Sequence, residues 1–505
     1  MSERAAALAA LHQAPPADSL ALLRAASDAL KHGLADVAEP MLAAAAERQP
    51  GDPRLWQFLG LARRDQQDSA GAHAAFARAA TLAPADPLIA HSQARTALEA
   101  GFPALPLFNR ARQLAPGDGS VALGRAAAMF AEGDGATACD QLAHLLKSSP
   151  GWIDGHIAYA RLNAQARPGD PIDSTLRLAV LQHPQAGAIW QALFQVLIEA
   201  RDYRGALATV ADARRSLGDD LELARIEAAC LTELGESARA QAIFDHLPFP
   251  DDGEMACWPI RNYIRLGRFE EARLLAEQTF DGRNEGALWP YRALLWRQAG
   301  DPRWHWLEGD QRFIGEFDLS AQIGPIDDLA DLLRRLHAAK GQPLDQSVRG
   351  GTQTDGNLLA RAEPEIRQLR AALLEAVRSY VAQLPAPDSA HPLLVKQRAE
   401  LNLAGAWSVR LTDRGFHADH VHWQGWISSA FYVVVPEPDP LEPESGWLAF
   451  GQCRDLLPDF AAFRTVEPKP GKLALFPSTL WHGTRPFGSG ERMTVAYDIA
   501  RPQQD

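Results

Sequence analysis

The stretch Gly415 to Tyr432, GFHADHVHWQGWISSAFY, carries three histidines and one aspartate within six residues: His417, Asp419, His420 and His422. Imidazole and carboxylate together form the ligand set of a borderline divalent metal such as Fe(II). Along an extended strand residues i and i+2 share a face, so two pairs qualify, His417 with Asp419 and His420 with His422. A third ligand must come from elsewhere. His482 stands alone in LFPSTLWHGTRPF, ten residues before Arg492. The competing reading is a solvated histidine turn.

The elements that must position these residues lie around them. Beyond residue 390 short runs of β-branched and aromatic residues alternate with turn signals, the clearest being WSVRL (407–411), ISSAFYVVV (427–435), GWLAF (446–450), KLALF (472–476) and MTVAYDIA (493–500). Strands in such succession predict a sandwich or jelly-roll barrel, whose inward-facing histidines would converge. Upstream, DLADLLRRLHAA (328–339) has an amphipathic helical pattern, QSVRGGTQTDGN (346–357) reads as a polar loop, and PEIRQLRAALLEAVRSYVAQL (364–384) as one long helix ending at Pro385.

Several motifs here are specific together: His420-Val421-His422, the strand from Ser428 to Val433, the run from Pro468 through GKLALFPS, the lone His482, Arg492-Met493-Thr494, and the approach segment QSVRGGTQT. They resemble a family of 2-oxoglutarate- and Fe(II)-dependent oxygenases over about residues 325–503. The resemblance implies a double-stranded β-helix (jelly-roll) domain, Fe(II) and 2-oxoglutarate as cofactors with ascorbate as a supporting reductant, molecular oxygen as co-reactant, and hydroxylation as the activity. It puts the metal ligands at His420, His422 and His482, with Trp423 where a proline is usual. His417 and Asp419 remain the other pair, as ligands or as partners behind the ligands.

The chemistry agrees. Three protein ligands on one octahedral face leave positions for a bidentate 2-oxo acid and for oxygen. The remote carboxylate of that acid needs a cation, and a planar guanidinium can hold it with two parallel hydrogen bonds. Arg492 with Thr494, two residues on and so on the same strand face, forms a candidate clamp, and Tyr432 is a candidate hydroxyl donor to the 2-oxo acid. Trp423 and Trp426 read as substrate walls or as barrel-mouth packing, and Arg410 as a substrate contact or a surface ion pair.

The first half of the chain is a repeat. Pro50, Pro84, Pro116, Pro150 and Pro184 are spaced 34, 32, 34 and 34 residues apart. Each follows one small-large-small pattern: Ala38, Leu42, Ala45; Ala72, Phe76, Ala79; Ala104, Phe108, Ala111; and, more loosely, Ala138, Leu142, Leu145 and Ile172, Leu176, Ala179. Offsets of four and three place each set on one helical face. The pattern continues through Ala206, Val210, Ala213 and Ala240, Phe244, Leu247 to Ala272 and Ala276. Period and spacing resemble tetratricopeptide repeats, about eight helical hairpins over residues 19–285. Such an array implies an α-solenoid whose concave face holds a peptide or protein, or else a dimer interface or scaffold. His91, His156 and His183, like Trp56, Trp152, Trp190 and Trp258, read as ordinary repeat residues.

The chain of 505 residues is thus expected to be multidomain: a flexible N-terminus (1–18), the repeats (19–285), capping helices and a connector (286–324), and the oxygenase-like β domain (325–505). A net charge of −13 argues against a nucleic-acid partner, and no run of eighteen apolar residues predicts a membrane span. Cys139, Cys230, Cys257 and Cys453 form no CxxC and fit a cytoplasmic protein. The expected function is hydroxylation of a peptide or protein side chain recruited by the repeats. The competing function is a repeat scaffold bearing a metal sensor or a degenerate barrel. The oligomeric state is left open.

Overall fold

The structure, a computed structural model, describes residues 3–15, 18–280, 284–344, 346–437, 440 and 442–502. Among the described residues eight consecutive helix pairs (hairpins) occupy the repeat region: Ser19–Lys31 with Ala35–Arg48, Pro53–Asp65 with Ser69–Leu82, Pro87–Ala100 with Leu105–Leu114, Gly119–Ala131 with Gly135–Ser148, Ile153–Ala166 with Ser174–Gln182, Gly187–Glu199 with Tyr203–Leu217, Leu221–Glu233 with Ser237–Phe244, and Gly253–Arg265 with Phe269–Ala276. The five periodic prolines each fall two residues past the second helix of a hairpin. Two residues beyond the first three, Asp52, Asp86 and Asp118 cap the next helix; Asp86 accepts from the backbone N–H of Leu88 at 2.9 Å and of Ile89 at 3.1 Å. The small-large-small residues of the first three repeats are buried, Ala38, Leu42, Ala45, Ala72, Phe76, Ala79, Ala104, Phe108 and Ala111. Six residues after a proline a ring nitrogen often bonds back to its carbonyl, as in Trp56 to Pro50 (3.1 Å), His156 to Pro150 (3.1 Å) and Trp190 to Pro184 (2.9 Å). These side chains are structural, as expected.

The stretch 1–18 was expected to be flexible, but Glu3–Gln13 is a helix whose Ala7 and Leu11 are buried in the core of the first hairpins. Its five alanines and two leucines favour the helix and supply the apolar residues it buries.

Nine strands form the C-terminal region: β1 (Gly315–Asp318), β2 (Val348–Gln353), β3 (Leu403–His417), β4 (Gly425–Val434), β5 (Leu448–Phe450), β6 (Arg464–Val466), β7 (Lys472–Pro477), β8 (His482–Thr484) and β9 (Arg492–Ala500). All pair antiparallel, in a six-stranded sheet of order β1-β7-β4-β9-β3-β2 and a three-stranded sheet of order β6-β5-β8. The sheets meet through Leu448, Phe450 and Val466 on one side and Ala474 and Phe476 on the other, the rings of Phe450 and Phe476 4.9 Å apart. The helix Ile326–Leu336 packs on β4 through its buried Leu329 and Leu333 side.

Two local expectations change. The supposed loop 346–357 contains β2, paired with β3 across a register shift between Arg349 and Gly351. Its glycines mark a β-bulge rather than a loop, with Gly350 at φ +69°. The connector 286–324 contributes β1 to the edge of the large sheet, so the β domain starts before residue 325.

By backbone proximity the chain divides into two compact units, residues 1–142 with 356–367, and residues 143–355 with 368–505. This division does not fall at the repeat-to-β boundary. In the second unit the last hairpins share a core with the β domain: Ala256, Ile260, Ile264 and Ala272 pack with Cys453, Leu456 and Trp481. Arg261 and Arg265 both bond Glu233 of the seventh hairpin and Asp455 of the β domain, at 2.7–3.1 Å.

Candidate metal centre and cosubstrate pocket

His420 lies in the turn between β3 and β4, and His482 opens β8. A two-residue antiparallel bridge joins them, His420 N–H to His482 O at 2.9 Å and His482 N–H to His420 O at 3.0 Å. The peptide N–H of His422 bonds Ser478 O at 2.9 Å, which ties the same turn to the end of β7. The result is a cluster of His420, His422 and His482 with one ligand atom from each within 4.8 Å of the others.

The other ring nitrogens decide which atoms face inward. His420 Nδ1 lies 2.8 Å from Ala418 O and His482 Nδ1 lies 2.9 Å from Leu480 O, so each Nδ1 carries the proton and donates it. His422 Nδ1 donates to the Asp498 carboxylate at 2.7 and 2.9 Å. Nε2 is thereby the atom of each ring turned toward a metal, the arrangement by which a hydrogen-bonded imidazole is fixed as a ligand, and at His420 it also meets the Ser347 hydroxyl. Burial pushes His482 down to about 3 and His420 well below the ordinary histidine range, so both rings stay neutral. Ser347 Oγ lies 3.2 Å from His420 Nε2 and 2.9 Å from His417 Nδ1.

The alternative pair is drawn apart. His417 stays close, its ring stacked on His420 at 6.0 Å, with Nδ1 on Ser347. Asp419 is turned away into a bidentate pair with Arg454, Nε to Oδ2 and Nη2 to Oδ1 both at 2.7 Å, and accepts from Arg454 N and Gln452 Nε2 as well. Its side chain is only 2% exposed. Gly483 permits this packing, since a Cβ there would lie 2.2 Å from Asp419 Oδ1.

One inner face of the large sheet carries the remaining residues. In register, Thr494 is opposite both Val409 and Tyr432, and Asp498 is opposite Ser428. Residues of β9 two apart therefore align Arg492, Thr494, Ala496 and Asp498 on that face. Arg492 and Thr494 line a common cavity with the three histidines, Trp407, Ala430, Leu448 and Phe476. Arg492 is 2% exposed and its Nε has no hydrogen-bond partner among the described residues. A buried guanidinium with an unused donor fits an anionic ligand. Tyr432 is wholly buried and not among the lining residues. Its ring centre is 5.3 Å from the Arg492 guanidinium carbon, its hydroxyl is unpartnered, and burial pushes that hydroxyl up to about 12.

Of the residues with two readings, Arg410 pairs with Glu491 at 2.6 Å and is structural. Trp426 is buried and donates to Leu393 O at 2.9 Å, as packing requires. Sequence reasoning missed Asp498, Ser347, Ser428 and Arg454. Asp498 had a signal, its even spacing from Arg492 along one strand, and Ser347 had one in its place within the QSVRGGTQT motif; Arg454 comes from a loop and had none.

Residues 405–498 match the family described as "Putative 2OG-Fe(II) oxygenase". That span contains every cavity residue named above except Ser347. No curated protein matches the chain. Among solved structures, a tetratricopeptide repeat protein from Parabacteroides merdae aligns at 16% identity, over 44% of this chain and 89% of that chain, with a TM-score of 0.30. A Pseudomonas putida prolyl-4-hydroxylase aligns at 18% identity, over 38% and 95%, with a TM-score of 0.26. HygX from Streptomyces hygroscopicus, solved with nickel and 2-oxoglutarate bound, aligns at 14% identity, over 37% and 82%, with a TM-score of 0.27. Scores this low establish no shared geometry. The chain joins a helical repeat region to a C-terminal antiparallel β domain that carries the oxygenase match.

Proposed function

We propose that the protein is a 2-oxoglutarate- and Fe(II)-dependent oxygenase that hydroxylates a peptide or protein side chain. The observation that carries this reading is the convergence of three imidazoles, each with Nδ1 already engaged, on a cavity that also holds a buried guanidinium with an unused donor. Nε2 of His420, His422 and His482 would hold the metal. Arg492 would anchor the remote carboxylate of 2-oxoglutarate, with the Thr494 hydroxyl beside it and Tyr432 packed against the guanidinium. Bound Fe(II) would couple decarboxylation of 2-oxoglutarate to oxidation of a substrate C–H bond by oxygen. Trp407, Ala430, Leu448 and Phe476 keep the cavity wall apolar and limit water.

The repeats supply the argument for a macromolecular substrate, because hairpin arrays of this kind present extended surfaces to peptides. The last hairpins share a core with the β domain, so substrate held there would be presented by the unit that contains the cavity. Four free cysteines, three of them buried, fit a reducing cytoplasmic setting. Among the described residues no helix is long and apolar enough to cross a membrane. The test is succinate formation from 2-oxoglutarate under air with Fe(II) and ascorbate, followed by mass spectrometry of cell proteins captured on the His482→Ala variant and then treated with active protein. Addition of one oxygen atom to a captured protein supports the reading. No succinate under any condition favours a scaffold with an inactive barrel.

A further inference from the structure

The three histidines are not equivalent. Two of them, His420 and His482, rest their Nδ1–H on neutral peptide carbonyls, Ala418 O and Leu480 O. The third, His422, rests on a carboxylate, with Nδ1 2.7 Å from Asp498 Oδ2 and 2.9 Å from Oδ1. Asp498 is directed at that ring alone among charged partners: its ion pair among the described residues is with His422. Ser428 Oγ donates to Oδ1 at 2.6 Å and itself stands 2.9 Å from Ser478 Oγ, so the carboxylate is held in orientation by one hydroxyl on β4, which a second hydroxyl braces. Its side chain is 14% exposed, which limits solvent screening.

Asp419 is the carboxylate that local spacing would place on the metal, and it is cancelled by Arg454 instead. Among the described residues the cluster thus contains no carboxylate ligand, and the carboxylate nearest to it without a cationic Arg or Lys partner, Asp498, stands one hydrogen bond behind His422. A carboxylate in that place raises the basicity of the ring and fixes its orientation.

Resting on the oxygenase reading, we infer that Asp498 is a positioning residue for the metal: through His422 it supplies the anionic character that a directly bound carboxylate would otherwise give, which makes His422 the strongest donor of the three.

The test uses the full chain and Co(II) alone, titrated while following the visible d–d absorption, beside a melting curve of the metal-free protein. Asp498→Asn keeps shape and an acceptor oxygen but removes the charge. It is expected to weaken Co(II) binding by about 10- to 100-fold and to move the absorption band, with little change in the metal-free melting temperature. Asp498→Glu should recover part of the affinity. Asp498→Asn binding within twofold of the parent, with an unchanged band, overturns the inference and leaves the three-histidine site standing. A parent protein that takes up no Co(II) overturns the site itself and this inference with it. If Asp498→Asn melts well below the parent, Ser428→Ala decides, since it keeps the carboxylate and frees its rotation. A several-fold loss of affinity supports the inference, and parental affinity overturns it.

Discussion

Trp481 connects the repeat region to the candidate metal centre, and its replacement should damage both. The residue precedes His482, is 5% exposed, stacks edge-on against Tyr291 at 5.9 Å and donates Nε1–H to Pro290 O at 3.0 Å. It belongs to the core that joins the last hairpins to the β domain. Trp481→Ala removes a buried indole and leaves a cavity, at a cost of about 3–5 kcal/mol. It also strips the Pro290 carbonyl of its donor, about 1 kcal/mol of that total. Trp481→Phe keeps an aromatic ring and loses the hydrogen bond, so about 1–2 kcal/mol is expected. Urea unfolding of the full chain measures both, with Co(II) affinity in parallel, because β8 is short and a slackened Trp481 frees His482. A loss below about 1 kcal/mol for Trp481→Ala, or unfolding of the β domain as a transition independent of the last hairpins, would refute the shared core.

Three further outcomes follow from named groups. Arg492→Gln should leave metal binding intact while weakening 2-oxoglutarate by about 2–5 kcal/mol, read as a large rise in its KM, since a buried charge pair loses one member. Burial raises the Glu308 carboxyl to about 7, against 4.5 for the free side chain. The folded state therefore binds more protons than the unfolded chain between these values, and the contribution, full below about 4.5, is lost as pH rises through about 7. The 2.5-unit difference corresponds to about 3 kcal/mol. Urea unfolding from pH 4.5 to 8 should show this decline in the parent and a flatter profile in Glu308→Gln. Arg454→Met should destabilise the protein by about 3–5 kcal/mol, because it leaves Asp419 charged and buried, and urea unfolding of this variant beside Asp419→Asn/Arg454→Met should show the double variant recovering much of the loss.

The repeats were legible because their information is local. A proline that stops a helix and a small-large-small stripe repeat at fixed spacing, and each hairpin buries that stripe against its neighbours. The histidine cluster was legible as a candidate metal centre, since few roles other than metal binding gather so many imidazoles. Local spacing could not choose between the pairs. His417 and Asp419 satisfy the i, i+2 rule as well as His420 and His422 do, and the choice depends on Arg454, a loop residue thirty-five positions away that claims Asp419. Strand β2 was misread because its glycines serve a bulge, whose partner strand lies some sixty residues on. The shared core of late hairpins and β domain was invisible for the same reason: it consists of long-range contacts between residues that each look like ordinary apolar positions.

The central claim is that His420, His422 and His482 bind iron and that Arg492 anchors 2-oxoglutarate beside it. Anaerobic titration of the full chain with Fe(II) in the presence of 2-oxoglutarate tests it directly, through the visible charge-transfer absorption of the chelated cosubstrate. The expected result is one Fe(II) per chain and an absorption lost in His420→Ala, His422→Ala and His482→Ala but retained in Asp419→Asn. Full absorption in His482→Ala, or its loss in Asp419→Asn with the fold intact, would contradict it.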